Sequence, residues 1–388
     1  MKPEIIFFPV DNGDMTLIKL ESERRILLDI NIRQANDDIV DVATKLRKEL
    51  KTDANDRPYV DVMVLSHPDQ DHCRGFQEHF HVGPIEDYCD KDNPKKIIIR
   101  EMWSSPLVFR RSSKKDHTLS DDAQAWNKEA RRRVNLHKEK KTIGADGNRI
   151  LILGEDVDGK TDDIPAIVLK TGSSVSTVCG EQQSNFKALL LAPLKSNDED
   201  EEEVLSKNES SVIMNYAIGY GREPEAVKFL SGGDAEVAIW EKLWKAHKGN
   251  VKVLQYNLLM TPHHCSWHTL SWDSWSELRR KAVVSQDARN AIGQALAGAT
   301  IVASSKAIKD DDNDPPCIRA KEEYESIIND TKVKGEFWNT ATYPSSANPD
   351  LLRFEVSEGG LKKVKTRSSD AGAVVGGGII GSQPLSHG

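Results

Sequence analysis

Val60-Asp-Val-Met-Val-Leu-Ser-His67-Pro-Asp69-Gln-Asp71-His72-Cys-Arg-Gly75 decides how this chain folds. A short apolar, β-branched run bounded by turn residues suits a central strand, and this run stops abruptly at His67, Asp69, Asp71 and His72. Extended backbone turns residues i, i+2 and i+4 to one side, which is the spacing of His67, Asp69 and Asp71; His72 follows at the bend. Four potential metal ligands within six residues point to a metal site at a strand end. A solvated loop carrying two incidental histidines is the weaker reading.

The surrounding chain is long enough to bury a sizeable core. Its 388 residues suit one large domain or two small ones. With 38% hydrophobic and 29% charged residues, the composition is that of a globular protein. No apolar run approaches the ~20 residues of a membrane helix, and the first residues lack the apolar segment and cleavage site of a signal peptide. A cytoplasmic protein without membrane partners is expected. Cys73, Cys89, Cys179, Cys265 and Cys317 are scattered and odd in number, and read as free thiols. Net charge is −8, which argues against indiscriminate nucleic-acid affinity. Between Lys95 and Lys141, however, fourteen Lys/Arg face six Asp/Glu. Such a segment, with Arg131, Arg132 and Arg133 at its centre, can guide a polyanion. The acidic block Asp198–Glu203 reads as a solvated face.

Read in order, Glu4–Val10 and Met15–Leu20 form strands around the turn signal Asp11-Asn12-Gly13-Asp14. Arg25–Asp29 is a third short strand, and Arg33–Leu50 has helical spacing through Ile39, Val42, Leu46 and Leu50. Ile97–Ile99 is a strand and Trp103–Pro106 a loop. Ser120 caps a helix running to Lys141. Strands follow at 149–153, 166–170 and 186–191. Ala226–Ser231 leads through two glycines to Asp234, placed either to bridge two cations or to cap a helix. Val251–Met260 is a strand ending in Thr261-Pro-His263-His264-Cys-Ser266, with Trp267, His268 and Trp272 as candidate cleft walls. A strand at 300–305, a helix at 316–329 and a strand at 351–356 complete the reading.

His-Pro-Asp-Gln-Asp-His (67–72) resembles the His-x-(His/Asp)-x-Asp-His signature of the metallo-β-lactamase superfamily. With Asp69 at the second ligand position it looks most like the hydrolase domain of ComEC-type competence proteins. Gly233-Asp234-Ala-Glu236 resembles the superfamily's bridging-Asp motif. Pro262-His263-His264-Cys265-Ser266 resembles Pro-His-His-Gly-Ser, with cysteine in place of glycine, and Lys207–Tyr216 resembles the ComEC-type Asn-x-x-Ser lead into a strand. The resemblance implies an α/β (α+β) fold, an αββα sandwich with an inserted, partly helical elaboration. It places one hydrolase domain at 1–366, with the insertion at about 74–185 as a cap over the site; the glycine-rich composition after it, with few large side chains, reads as a flexible tail at 367–388.

The implied metal ligands are His67, Asp69, Asp71, His72, Asp234 and His263, holding one or two divalent ions. Asp29 is expected to orient a ligand histidine. Three carboxylates among six ligands make the set hard enough for manganese to compete with zinc. In the implied phosphodiesterase, acting on DNA, Asp71 orients the attacking water and His264 assists the leaving group. Asn208, Ser211, Ser266, Arg131, Arg132 and Arg133 then contact substrate. One departure stands out: no histidine occurs between His137 and His247, where histidine-rich members carry a further ligand. A small-molecule hydrolase of lactones, esters or cyclic nucleotides, and a non-catalytic subunit of a protein complex, are the alternatives.

Overall fold

The computed structural model describes residues 1–106, 119–155, 159, 161–194 and 211–365. The acidic block, Asn208 and the tail from 367 lie outside them. The first sheet is built from β1 (Glu4–Phe7), β2 (Thr16–Lys19), β3 (Arg25–Leu28), β4 (Pro58–Leu65), β5 (Ile98–Ser104), β6 (Arg149–Leu153) and β7 (Val168–Leu169). The second contains β8 (Ser174–Val175), β9 (Phe186–Ala192), β10 (Ile213–Tyr220), β11 (Glu223–Ser231), β12 (Tyr256–Met260), β13 (Ala295–Ala303) and β14 (Glu336–Asn339). The chain then returns to the first sheet with β15 (Leu352–Ser357) and β16 (Gly360–Lys363), giving the order β16-β15-β1-β2-β3-β4-β5-β6-β7. The second sheet runs β8 to β14 in sequence order.

Each sheet is antiparallel at one side and parallel at the other. From β1 to β5 the pairings are antiparallel, antiparallel, parallel, parallel, and β9 to β13 repeat the pattern. Strands with both faces covered read as near-continuous apolar runs, and β4 shows why. Val62 and Val64 face the other sheet, while Val60, Met63 and Leu65 face outward under helices.

Three apolar layers follow. Between the sheets, Phe7, Ile18, Leu28 and Trp103 meet Leu190, Met214, Phe229, Leu258 and Val302. Outside the first sheet, α1 (Val42–Glu49) and α2 (Asp121–Lys140) lay Leu46, Trp126 and Ala130 on Leu17, Leu27 and Met102. Outside the second, α3 (Val237–His247), α4 (Gln286–Ile292) and α5 (Ile318–Asn329) lay Trp240, Leu243, Ile292 and Tyr324 on Leu230, Leu259 and Ile301. The result is the expected αββα sandwich.

Several local expectations are corrected. The helix foreseen from Arg33 begins only at Val42, because Asn36 Oδ1 accepts from the N–H groups of Asp38 and Ile39 and folds that segment into a turn. Asp41 then caps the helix through the Thr44 N–H. Trp103 belongs to β5, not to a loop, since its ring is wholly buried between the sheets. Residues 251–253 form a turn of 3-10 helix before β12 begins at Tyr256. The inserted region supplies β5, β6, β7 and α2: where it is described, it widens the first sheet and covers its outer face. Among the described residues no helix is long and apolar enough to cross a membrane.

Glu49, at the end of α1, ties the helix layer to the sheet through Lys19 of β2 and Arg353 of β15. Burial alone would raise its pKa, but Arg353 and Lys19 outweigh burial and hold the carboxyl down to about 2. A carboxyl depressed by folding stabilises the protein above its unfolded pKa and loses that contribution as pH falls through the folded value. Glu49→Gln should therefore cost ~1–2 kcal/mol in urea unfolding at pH 7, after allowance for solvent screening. The difference from wild type should shrink as pH falls from 4.5 toward 2.

Candidate metal centre

The carboxyl ends of the parallel strands meet along one edge of the sandwich, where ligand sites of α/β sheets commonly lie. Asp29 follows β3, the His67–His72 loop follows β4, Asp234 follows β11 and the His263–Ser266 loop follows β12. The Asp11–Asp14 hairpin turn closes the edge from the antiparallel side. Hydrogen bonds stitch these loops across the sheets. The Val212 N–H donates to Ser66 O (2.9 Å), His263 N–H to Gly233 O (2.9 Å) and Ser304 Oγ to Gly13 O (2.7 Å). Gly13 has φ +144°, and a Cβ there would lie 2.2 Å from Asn31 Nδ2 and 2.7 Å from Asp71 O. Only glycine lets the hairpin approach the metal loop this closely. Asp29, His263, His264 and Cys265 all have left-handed backbone, with φ between 49° and 68°. Consecutive left-handed non-glycine residues store strain of the kind found at functional sites.

Asp234 stands at the centre, 4% exposed. Its Oδ1 lies 3.1 Å from His72 Nε2 and 3.5 Å from His264 Nε2. Its Oδ2 lies 3.5 Å from His67 Nε2 and 3.9 Å from His263 Nε2. Asp71 Oδ2 is 3.4 Å from His264 Nε2, and Asp69 Oδ2 is 3.8 Å from His67 Nε2. Behind the ligand atoms, Asp29 accepts from the Ser66 N–H and hydroxyl and lies 2.9 Å from His72 Nδ1. That contact turns Nε2 of His72 toward Asp234, the arrangement in which a carboxylate fixes a histidine's tautomer.

The donor set fits a divalent cation. Nε2 of His67, His72 and His264, Oδ1 of Asp234 and both oxygens of Asp14 are buried without a hydrogen-bond partner. Buried polar atoms are ordinarily satisfied, so the orphaned Nε2 atoms gathered around Asp234 mark a place for a positive charge, with Asp14 on the Nδ1 side of His264. Asp14, His72, Asp234 and His264 present ligand atoms all within 4.8 Å of one another.

The electrostatics agree. Burial pulls the His72 and His264 rings toward neutrality, yet Asp234 and the other carboxylates outweigh it and hold both pKa values well above the ordinary range. Burial would raise Asp234, but His72, His264 and His67 drive its carboxyl well below the usual range. Burial would likewise raise Asp71, and the hydrogen bond with His264 and the charge of His72 reverse it. Asp14 is pushed up by burial, which its histidine neighbours only partly offset. A divalent cation can take over the positive charge that protonated rings would otherwise supply.

The structure thus brings His67, Asp69, Asp71, His72, Asp234, His263 and His264 to one edge. His264, expected to serve the leaving group, is 1% exposed and lies inside the cluster, whereas His263 sits nearer the surface. Asp234 is not a helix cap, since α3 starts at Val237. Ser211 receives the Asp234 N–H (3.0 Å) and holds that loop. Ser266, foreseen as a substrate contact, is buried and accepts the His268 N–H. Trp267 packs in the core, leaving Trp272 exposed with its N–H on Glu241, so these tryptophans do not form the expected cleft wall.

The expected arginine stripe needs correcting too. Arg133 is buried, its guanidinium donating to Glu129 and to the carbonyls of Ile99 and Arg149. Arg132 binds Glu129 and Asn148, and Arg131 is exposed. Arg132 and Arg133 fasten α2 to the sheet, which leaves them poorly placed to grip phosphates. Asp14 was missed by sequence reasoning: it reads as an ordinary turn residue, and the only signal was a second aspartate in a turn that needs one.

No family model and no curated protein matches the sequence. Among solved structures, the crystal structure of unliganded yeast PDE1 is similar, with 12% identity over 87% of this chain and 98% of that chain and a TM-score of 0.41.

Added Mn2+ or Zn2+ should raise the melting temperature of the metal-free protein, because the cation binds only the folded site. Asp234→Asn should remove most of that rise. Asp29→Ala should weaken metal affinity by ~10–100-fold in isothermal titration, the usual effect of removing a carboxylate behind a ligand histidine.

Proposed function

We propose that the chain is a metal-dependent hydrolase of phosphodiester bonds. One observation carries the reading: buried, unpartnered histidine nitrogens converge on both oxygens of a single carboxylate, Asp234. His72, His264 and Asp71 gather at its Oδ1 side, and His67, Asp69 and His263 at its Oδ2 side. These groups would hold one or two divalent ions, and the carboxylate-rich set suits manganese as well as zinc.

A cation held there supplies positive charge that acidifies water and stabilises charge building on the attacked phosphoryl group. The protein does the rest. Asp71, held ionised and partly exposed, accepts a hydrogen bond from the attacking water and aims it. Asp29 and Ser66 keep His72 in one tautomer. The buried loops exclude competing water from one side of the site.

DNA is the proposed substrate class, supported by the resemblance of the His67–His72 and Lys207–Tyr216 motifs to ComEC-type domains. A small phosphodiester is the second reading, favoured by the internal engagement of Arg132 and Arg133. Hydrolysis of end-labelled single- and double-stranded DNA beside bis(p-nitrophenyl) phosphate, with manganese or zinc, separates them. The wild type should cleave DNA, and Asp71→Ala should lower the rate at least ~100-fold. Turnover of the small ester without any DNA cleavage would move the assignment to a small-molecule enzyme. Absence of both, in protein shown to carry metal, would leave a non-catalytic subunit. In the same preparations His263→Ala should lower the bound metal by one ion per chain.

A further inference from the structure

Asp314 is a buried carboxylate, its side chain 8% exposed, with one oxygen unsatisfied. Its Oδ1 accepts the Trp267 N–H at 2.9 Å, while Oδ2 has no hydrogen-bond partner. Leaving a buried carboxylate oxygen bare is costly. A basic group facing it is His268, whose Nε2 lies 3.9 Å from Oδ2; the charge of Asp314 also reaches His263. His268 itself is 42% exposed, so the pair joins a fixed interior charge to a surface imidazole.

The pair is also fixed relative to the metal centre. His268 lies in the short turn Trp267–Thr269 directly after the His263–Ser266 loop, and Ser266 Oγ accepts its N–H at 3.1 Å. The segment carrying Asp314 is anchored twice more. The Cys317 N–H donates to Cys265 O (3.0 Å), and Asn12 Nδ2 donates to Pro315 O (3.0 Å). One anchor is on the metal loop and the other is on the hairpin turn that ends at Asp14. His264 is closed off among Asp14, Asp71 and Asp234, which leaves it badly placed to meet a leaving group.

We propose that His268, oriented by Asp314, is the proton donor to the leaving oxygen; the inference rests on the phosphodiester reading above. In the step, the oxygen of water bonds to phosphorus and the phosphorus–oxygen bond to the leaving group breaks. The electron pair stays on the leaving oxygen, which takes the proton from Nδ1 of His268, while Asp314 holds the Nε2 proton. The attacking water's proton passes to solvent, and solvent reprotonates the imidazole. Asp314 is a positioning residue that fixes which ring nitrogen faces outward.

General-acid catalysis is worth ~10²–10⁴-fold when the leaving group needs a proton and little when it does not. The test therefore compares a thymidine dinucleotide, whose sugar alkoxide needs one, with bis(p-nitrophenyl) phosphate, whose nitrophenolate does not. In metal-loaded full-length protein, His268→Ala should lower the ratio of kcat on the dinucleotide to kcat on the nitrophenyl ester at least ~30-fold. Metal content should stay at the wild-type value. Asp314→Asn should shift the ratio in the same direction by less, and His268→Gln should not restore it. An unchanged ratio in His268→Ala, whether both rates fall together or neither does, overturns the assignment while the hydrolase reading stands. A metal-loaded wild type that cleaves neither substrate overturns both.

Discussion

One carboxylate reaching in two directions holds the functional edge together. Asp234 sits at the end of β11, and three histidines from two loops and both sheets lie within 3.5 Å of its oxygens. Remove its charge and His72 and His264 lose the partner that most opposes the effect of their burial. The rest of the sandwich serves to present this group. Strand pairing brings β11 beside β12, and the Val212 N–H on Ser66 O fixes the second sheet's loops against the first sheet's metal loop.

The main architecture was legible because burial on both faces leaves a plain trace. The apolar run at Val60–Leu65, the second half of the one at Val251–Met260 and the helical spacing around Leu46 survive in the structure as strand, strand and helix. The metal loop could be read because its ligands are close in sequence. What failed was whatever depended on contacts distant along the chain. Three arginines in a row look like a basic stripe, but helix geometry turns Arg133 inward, and a buried carboxylate at Glu129 waits there for it. Asp14 looked like turn chemistry because nothing nearby in sequence shows His264 arriving against it. The division between His263 and His264 was illegible for a related reason. Adjacent residues point apart according to backbone angles, and these two adopt left-handed angles that sequence spacing does not announce.

The repeated order of pairings bears on the site's composition. In the first sheet the strand β3 ends at Asp29 and β4 at the His67 loop; in the second, β11 ends at Asp234 and β12 at the His263 loop. Aspartate and histidine-bearing loop thus stand at matching places in two like halves. Their roles have diverged: Asp234 faces the ligand nitrogens, whereas Asp29 stands behind one of them and steadies it.

A site assembled this way cannot exist in either half alone. Gly13 meets the ring of His264 across 251 positions of chain, so the donor atoms come together only once both sheets have closed. Non-local contacts of this reach form late and slowly in folding. The His67–His72 loop offers its own ligands locally, but the full set, with Asp234 and His264 against them, is a property of the closed sandwich alone.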